Sequence, residues 1–309
     1  MPPSEVRIVN IGDADIVHTD VEQNHDNTER TVRNILDAGA NHVILGGDHS
    51  IHDPEMAAYS DEEPLYIVHF DAPLDFVDER HGERHGHGNS LRWSSEIPWV
   101  FRMTQLGIRN VSSSNREDYA TARAAGSKFF SVRDVRHMGT EGVLDEILDV
   151  PRYYVTIDID WFDPSIAPGT GIPSHGGFLD YEVLEIFQTF IDKCDTVGFD
   201  LVEVAPDYDH SGITGMLAAQ LLMNFIGFIF EARQSWRLFL KQSSSQERQS
   251  EFQKKFGCLH GHEVAGLNLD ILRAGNGIRH GFCSLRWSYC VMDAADNEGG
   301  AGHFVAFRI

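Results

Sequence analysis

The stretch that decides the fold is Tyr153-Tyr154-Val155-Thr156-Ile157-Asp158-Ile159-Asp160-Trp161-Phe162-Asp163-Pro164. Its first half is β-branched and aromatic, the composition of a strand buried on both faces. Its second half is acidic and ends on a proline, which cannot continue a central strand. Side chains two apart on a strand share a face, so Asp158 and Asp160 point together. Two like charges on one face are unfavourable unless a cation neutralises them.

Working outward, further short runs rich in Val, Ile, Phe and Tyr read as strands: Val6–Ile11, His42–Leu45, Leu65–Phe70, Met103–Ile108, Phe129–Val132, Tyr153–Ile159 and Val197–Val204. Between them Asn27–Ala38, Asn115–Ala125, Glu141–Leu148, Tyr181–Asp192 and Gly212–Glu231 read as helices. Asn27, Asn115 and Asp180 are the expected N-caps and Gly39 the expected stop. Strand–helix alternation predicts an α/β fold, a mostly parallel sheet with helices on both faces. Such sheets carry their chemistry at the carboxyl ends of the strands.

The chain has 309 residues, with 25 Lys plus Arg against 47 Asp plus Glu, a formal charge of −22. A surface this anionic repels phosphate backbones and anionic headgroups, so neither nucleic acid nor a membrane surface is an expected partner. Ile213 to Phe230 is uncharged and mostly apolar over eighteen residues, at the lower edge of spanning length. Thr214, Gln220 and Asn224 interrupt it, and it reads as a buried helix. Four cysteines make no disulfide scaffold, the N-terminus lacks the basic flank and apolar run of a signal peptide, and a cytoplasmic location is expected. Charge shifts along the chain: residues 235–309 hold nine basic and seven acidic side chains, residues 1–234 sixteen and forty. A boundary is therefore expected near Gln234, dividing a 1–234 α/β domain from a 235–309 extension that is partly helical (Ser235–Phe256) or disordered. Cys258-Leu259-His260-Gly261-His262, with Cys283 and Cys290, invites a zinc reading, but the spacings fit no common finger.

Four polar clusters follow expected strands: Gly46-Gly47-Asp48-His49-Ser50, Asp71-Ala72-Pro73-Leu74-Asp75, Asp158-Ile159-Asp160 and Glu203-Val204-Ala205-Pro206. A single Asp at a strand end is usually a turn former or cap, and Asp48 and Asp163 read that way. Several carboxylates and an imidazole meeting at one sheet edge instead suit a pair of divalent ions with oxygen and nitrogen ligands, such as Mn²⁺.

These blocks, with HFDAPLDF, TIDIDWFDPSIAPGTGIPSHGG and FDLVEVAPDYDHSGIT, resemble the signature blocks of the ureohydrolase family, in order and spacing, over Val6 to Glu231. The resemblance implies an arginase-like three-layer sandwich and a two-manganese centre that hydrolyses a guanidinium group to urea and an amine. It implies His49, Asp71, Asp75, Asp158 and Asp160 as metal ligands, with Ni²⁺ as an alternative to Mn²⁺. It places His87 as a proton-shuttling and substrate-facing histidine, Glu203 as the carboxylate that pairs with the guanidinium and Asn89 as a further substrate contact; the chemistry of attack adds Asp75 as the acceptor of the released proton. Trimers or hexamers are the family's common assemblies. Hydroxide bridging two cations suits the reaction, because the metals lower the pKa of their bound water. A charge-assisted hydrogen bond from Glu203 orients the planar cation.

Three departures stand out. Pro73 occupies the middle position of the Asp-Ala-x-x-Asp block, where the family carries a ligating histidine, and it has no imidazole to offer. A weakened second metal site is expected. His69 shares strand parity with the block but reads as one step too deep to replace it. The match also begins in what would be the family's second strand, so Val6–Ile11 is expected to pair directly with His42–Leu45 or to sit loosely. Residues beyond Gln234 have no counterpart in the family. Among members, Gly12-Asp13-Ala14-Asp15-Ile16-Val17, the Glu203 block and His87-Gly88-Asn89-Ser90-Leu91-Arg92 resemble agmatinase types more than arginase. Agmatine hydrolysis is the leading expectation, with guanidinobutyrate, guanidinopropionate or guanidine as alternatives. The competing expectation is a catalytically impaired relative that serves as a scaffold.

Overall fold

The computed structural model describes residues 7–60, 64–110, 113–147, 150–242 and 303–308. Eight strands form one sheet: Arg7–Asp13 (β1), Asn41–Leu45 (β2), Leu65–Phe70 (β3), Val100–Leu106 (β4), Lys128–Phe130 (β5), Tyr153–Asp158 (β6), Thr196–Val202 (β7) and His303–Arg308 (β8). Their order is β1-β8-β2-β7-β6-β3-β4-β5. From β2 to β5 every neighbour is parallel, while β8 runs antiparallel to both β1 and β2.

The alternation of side chains sets the layers. Tyr66, Val68 and Phe70 of β3, with Tyr153, Val155 and Ile157 of β6, face one core with helices Val132–Leu144 (α5), Asp180–Lys193 (α6) and Ile213–Gln242 (α7). Leu65, Ile67 and Tyr154 face the opposite core, where His52–Ala57 (α2), Ser90–Ser94 (α3) and Arg116–Ala124 (α4) contribute Met56, Leu91 and Ala122. Val21–Asp37 (α1) covers the β2 end of that side through Val32 and Ile35. The result is the three-layer α/β sandwich the sequence implies.

The expectation for the first strand is corrected. β1 does not pair with β2; β8 lies between them, with Val305 opposite both Asn10 and Val43. Val305 is fully buried and Ala306 nearly so. The hydrogen-bonding edge of β2 is thus satisfied by a strand from beyond Gln234, a segment that reads as unrelated to the sheet. α7 also runs unbroken through Gln234 to Gln242. The rest of the expected Ser235–Phe256 helix, the expected disorder and the Cys258–His262 zinc reading lie outside the described residues.

Three helix starts also differ. α1 begins at Val21 because Asp20 caps it, accepting from the Gln23 N–H at 3.0 Å. Asn27 lies inside that helix and donates to the Asp15 carbonyl at 2.7 Å. α5 begins at Val132, where strand was expected, because Ser131 and Asp134 form a reciprocal cap. Gly139 kinks it with φ +70°. Asp180 is the first residue of α6 rather than its cap, and Glu182 accepts from the Leu179 N–H at 2.8 Å. Asn115 caps α4 as expected. The apolar run that starts α7 packs Ala218, Leu222, Phe225 and Ile229 into the core against α6, leaving Met216 and Met223 outside.

Candidate metal centre

Four adjacent parallel strands, β2, β7, β6 and β3, end on the same edge of the sheet. Their carboxyl ends deliver His49, Glu203, Asp158 with Asp160, and Asp71 with Asp75. His49 Nδ1 lies 3.3 Å from Asp71 Oδ2, 3.3 Å from Asp75 Oδ2 and 3.6 Å from Asp158 Oδ2. Asp71, Asp158 and Asp160 form a second oxygen group that shares two of those carboxylates. All five residues are buried. The five expected metal-site residues are therefore together.

Backbone geometry aims them. Asp75 and Glu203 adopt left-handed φ of 50° and 62°. Non-glycine residues rarely do so outside sites where the surroundings enforce it. The Asp75 carbonyl accepts from the Leu91 and Arg92 N–H groups of α3, and the Glu203 N–H donates to the Gly47 carbonyl at 2.9 Å. At Gly107 the approach is so close that a Cβ would strike the Trp161 ring and the Asp71 carbonyl. The Asp160 carboxylate accepts from the Ala72 N–H at 3.1 Å, and Asp158 from the Asp160 N–H at 2.7 Å.

Whether a cation fits is decided by the tautomer of His49. Thr156 Oγ1 donates to Asp200 Oδ1 at 2.7 Å, so it accepts from His49 Nε2–H at 2.8 Å. In the neutral ring, the form that ligates a metal, the lone pair of Nδ1 is then aimed at three carboxylate oxygens; without a metal a proton on Nδ1 takes that place, and Asp71 Oδ1 is buried and unpartnered. Burial, then repulsion from Asp160 and Asp75, raises Asp71 well above the ordinary carboxylate range. Burial and repulsion from Asp71 do the same to Asp158, and burial and Asp158 to Asp160. Burial works to lower His49, but Asp158, Asp71 and Asp75 override it and raise it well above the ordinary imidazole value. The cluster demands positive charge, and divalent cations held by one imidazole and shared carboxylates meet that demand. The residues present fit.

Pro73, Asp75, His87, Asp158, Asp160 and Glu203 line one narrow cavity, with Pro73 where an imidazole is expected. Glu203 Oε1 accepts from the His49 N–H at 3.0 Å and lies 3.8 Å from Nδ1 of the half-exposed His87. Burial, then repulsion from Asp48, raises Glu203, so a cation beside it is welcome. Asn89 is not brought to this cavity: it is buried, and its amide donates to the Val77 carbonyl at 2.7 Å. Asp48 and Asp163 are turn residues as expected, accepting from Ser50 and Ser165 N–H groups.

The Arginase family model matches residues 1–227. The chain belongs to the arginase family. It is 34% identical to proclavaminate amidinohydrolase of Streptomyces clavuligerus over 70% of each chain. The solved structure of that enzyme superposes with a TM-score of 0.66 at 32% identity, covering 71% of this chain and 74% of the other. It is 31% identical to guanidinopropionase of Pseudomonas aeruginosa, over 75% of this chain and 74% of the relative. The agmatine ureohydrolase of Thermoplasma volcanium superposes with a TM-score of 0.62 at 32% identity, covering 70% of this chain and 71% of the other. Arginase-family enzymes hydrolyse C–N bonds of guanidino compounds.

Several residues around this arginase-family site escape a sequence reading. Gln105 Nε2 donates to the Leu74 carbonyl at 2.6 Å and its Oε1 accepts from Ser127, which fixes the amide. The same Nε2 lies 3.0 Å from His69 Nδ1, so His69 donates through Nε2–H to Asp71 Oδ2 at 2.7 Å. His69 reaches the cluster, contrary to its expected depth, but both its nitrogens are engaged. Behind His49, Asp200 also accepts from Tyr154 at 3.1 Å and faces His52 at 3.4 Å. Arg109 donates to the Asp160, Phe162 and Ser174 carbonyls, stapling the loop after β6. A basic residue three positions after β4 is the one sequence signal by which Arg109 could have been found.

Proposed function

We propose that this protein hydrolyses a guanidino compound to urea and an amine, with agmatine as the first candidate, at a centre held by His49, Asp71, Asp75, Asp158 and Asp160. The observation that carries it is the approach of three carboxylates to the His49 Nδ1 lone pair at 3.3–3.6 Å, with Glu203 at the rim. Mn²⁺, with Ni²⁺ as the alternative, suits that donor set and when bound supplies a water acidified enough to attack at neutral pH. Glu203 pairs with the planar guanidinium and orients its carbon. Asp75 accepts the proton released at attack. His87, beside Glu203, protonates the departing amine. The anionic chain favours a dicationic substrate such as agmatine, while the guanidinopropionase and guanidinobutyrase relatives make ω-guanidino acids the alternatives. A cytoplasmic homo-oligomer, trimeric or hexameric, belongs to the same reading. Urea release from agmatine, guanidinobutyrate, guanidinopropionate and guanidine with added Mn²⁺ or Ni²⁺ tests it; no urea from any of them rejects it.

Pro73 favours a second reading, a weak catalyst retained as a scaffold. If Pro73→His also yields no urea, that reading stands.

A further inference from the structure

Away from the acid cluster, α1, α2 and the loop after β3 bring His25, Asp53 and His85 together. Asp53 Oδ2 is 3.9 Å from His25 Nδ1 and 3.3 Å from His85 Nδ1, and the two imidazoles meet edge to face with centroids 4.8 Å apart. We propose that these three side chains form a separate site for a borderline divalent cation, Zn²⁺ in the first place, with solvent completing the shell.

The geometry supports it. A tetrahedral zinc with bonds of about 2.0–2.1 Å separates its ligand atoms by about 3.4 Å. The two distances to Asp53 bracket that edge, and the three donor atoms all lie within 4.8 Å of one another. Hydrogen bonding explains the arrangement less well. His85 Nδ1 is within hydrogen-bond distance of Asp53 Oδ2 at 3.3 Å, but His25 Nδ1, at 3.9 Å, is beyond it. That leaves an imidazole at a carboxylate without a bond to it. Burial holds His25 below its ordinary value against the pull of Asp53, which favours the neutral ring that binds metal. Side-chain exposures of 20%, 16% and 40% for His25, Asp53 and His85 leave an open coordination position. Two imidazoles and one carboxylate select Zn²⁺, Co²⁺ or Ni²⁺ over Mn²⁺, the reverse of the carboxylate-rich cluster. The two centres are chemically distinguishable.

The site also has a position that matters. His25 and His85 line the same broad cavity as Glu203 and Gly171, and His85 is two residues from His87. A cation there ties the His81–Gly88 loop to α1 and α2.

The test uses the full-length, Mn²⁺-saturated protein dialysed against Zn²⁺, with bound zinc counted by elemental analysis. The expected result is one zinc more per chain in the unsubstituted protein than in His25→Gln/His85→Gln. Any zinc taken by Cys258, His260 or His262 is common to both and cancels. His85→Gln alone, on a partly exposed loop where folding is not at stake, is expected to weaken that zinc by at least about 10-fold. Co²⁺ in place of Zn²⁺ should give visible absorption that the double variant lacks. Equal zinc content in the two proteins, or unchanged zinc affinity in His85→Gln, overturns the proposal. Urea release with Mn²⁺ alone is a separate measurement, so failure here leaves the catalytic reading untouched.

Discussion

On the His49 side of the cluster, an imidazole lone pair and three carboxylates converge, backed by the buried Thr156–Asp200 pair. On the Asp160 side, carboxylates stand beside Pro73 and accept from main-chain N–H groups, on a loop that Arg109 holds through its backbone carbonyls. The first half is held through side chains whose protonation is dictated from behind; the second is held through the backbone. A site of this kind can keep its geometry after losing a ligand, because geometry and ligation come from different atoms. The difference between the halves therefore predicts unequal cation affinity rather than a collapsed site.

The largest effect is expected on removing the imidazole. Outer partners of metal ligands are worth about 10–100-fold in affinity or activity, and a ligand more. His49→Ala should lower Mn²⁺ affinity and urea release by more than about 100-fold, read by dialysis and by colorimetric urea assay. A mild effect would show that His49 is a structural histidine.

Pro73→His acts on the Asp160 half instead. The affinity for a second Mn²⁺ should rise by about 10–100-fold, with a parallel rise in kcat. Two tightly held ions in the unsubstituted chain after exhaustive dialysis would remove the asymmetry altogether. Thr156→Val is expected to cost about 10-fold in Mn²⁺ affinity. It removes the acceptor for His49 Nε2–H and leaves Asp200 short of a donor.

pH tests the cluster as a whole. Asp71, Asp158, Asp160 and His49 all have raised values in the metal-free fold. The folded state then binds more protons than the unfolded one, so these groups make stability fall as pH rises. His42, held at about 3, His52 and His69 act oppositely, but only below the ordinary imidazole value of 6.5. Above about pH 6.5 the first trend is alone, at most about 1.4 kcal/mol per pH unit for each extra proton. Metal-free protein should melt at progressively lower temperature from pH 7 to 9, and Mn²⁺ should remove the cluster's share of the slope, leaving that of Glu55, which burial also raises. A flat profile without metal would mean the carboxylates are already ionised and neutralised by something else.

What the sequence reveals follows from where the physics is local. β3 spans Leu65–Phe70 as expected, and β6 ends one residue early because Ile159 already starts a single tight turn. Acids at the ends of apolar runs are visible because nothing but a turn or an ion explains them, so Asp71, Asp75, Asp158 and Asp160 are legible, and His49 is legible from its place in the Gly46–Ser50 block that resembles the family's. Thr156, Gln105 and Asp200 lie mid-strand among apolar neighbours, and only the packing of adjacent strands shows what they touch. β8 is invisible for a related reason. Its partners, β1 and β2, lie more than two hundred residues away, and no short-range pattern in His303–Arg308 names them. Asn89 misled in the opposite direction: a polar residue beside His87 reads as a substrate contact, yet its amide serves the Val77 carbonyl.

The smallest effect probes the backbone-held half. Arg109 is partly buried, and one nitrogen of its guanidinium serves three carbonyls while Nε serves that of His175. Lysine keeps the charge near Asp160 but lacks the planar fork, so Arg109→Lys separates positioning from electrostatics. Lost hydrogen bonds to a charged group predict a destabilisation of about 1–2 kcal/mol in chemical denaturation. Because the Ala72 N–H still holds the Asp160 carboxylate, Mn²⁺ affinity on the His49 side should be unchanged, and urea release should fall only a few-fold. A loss as large as that of His49→Ala would show that the two halves are held by one network, and the contrast drawn between them would have to be abandoned.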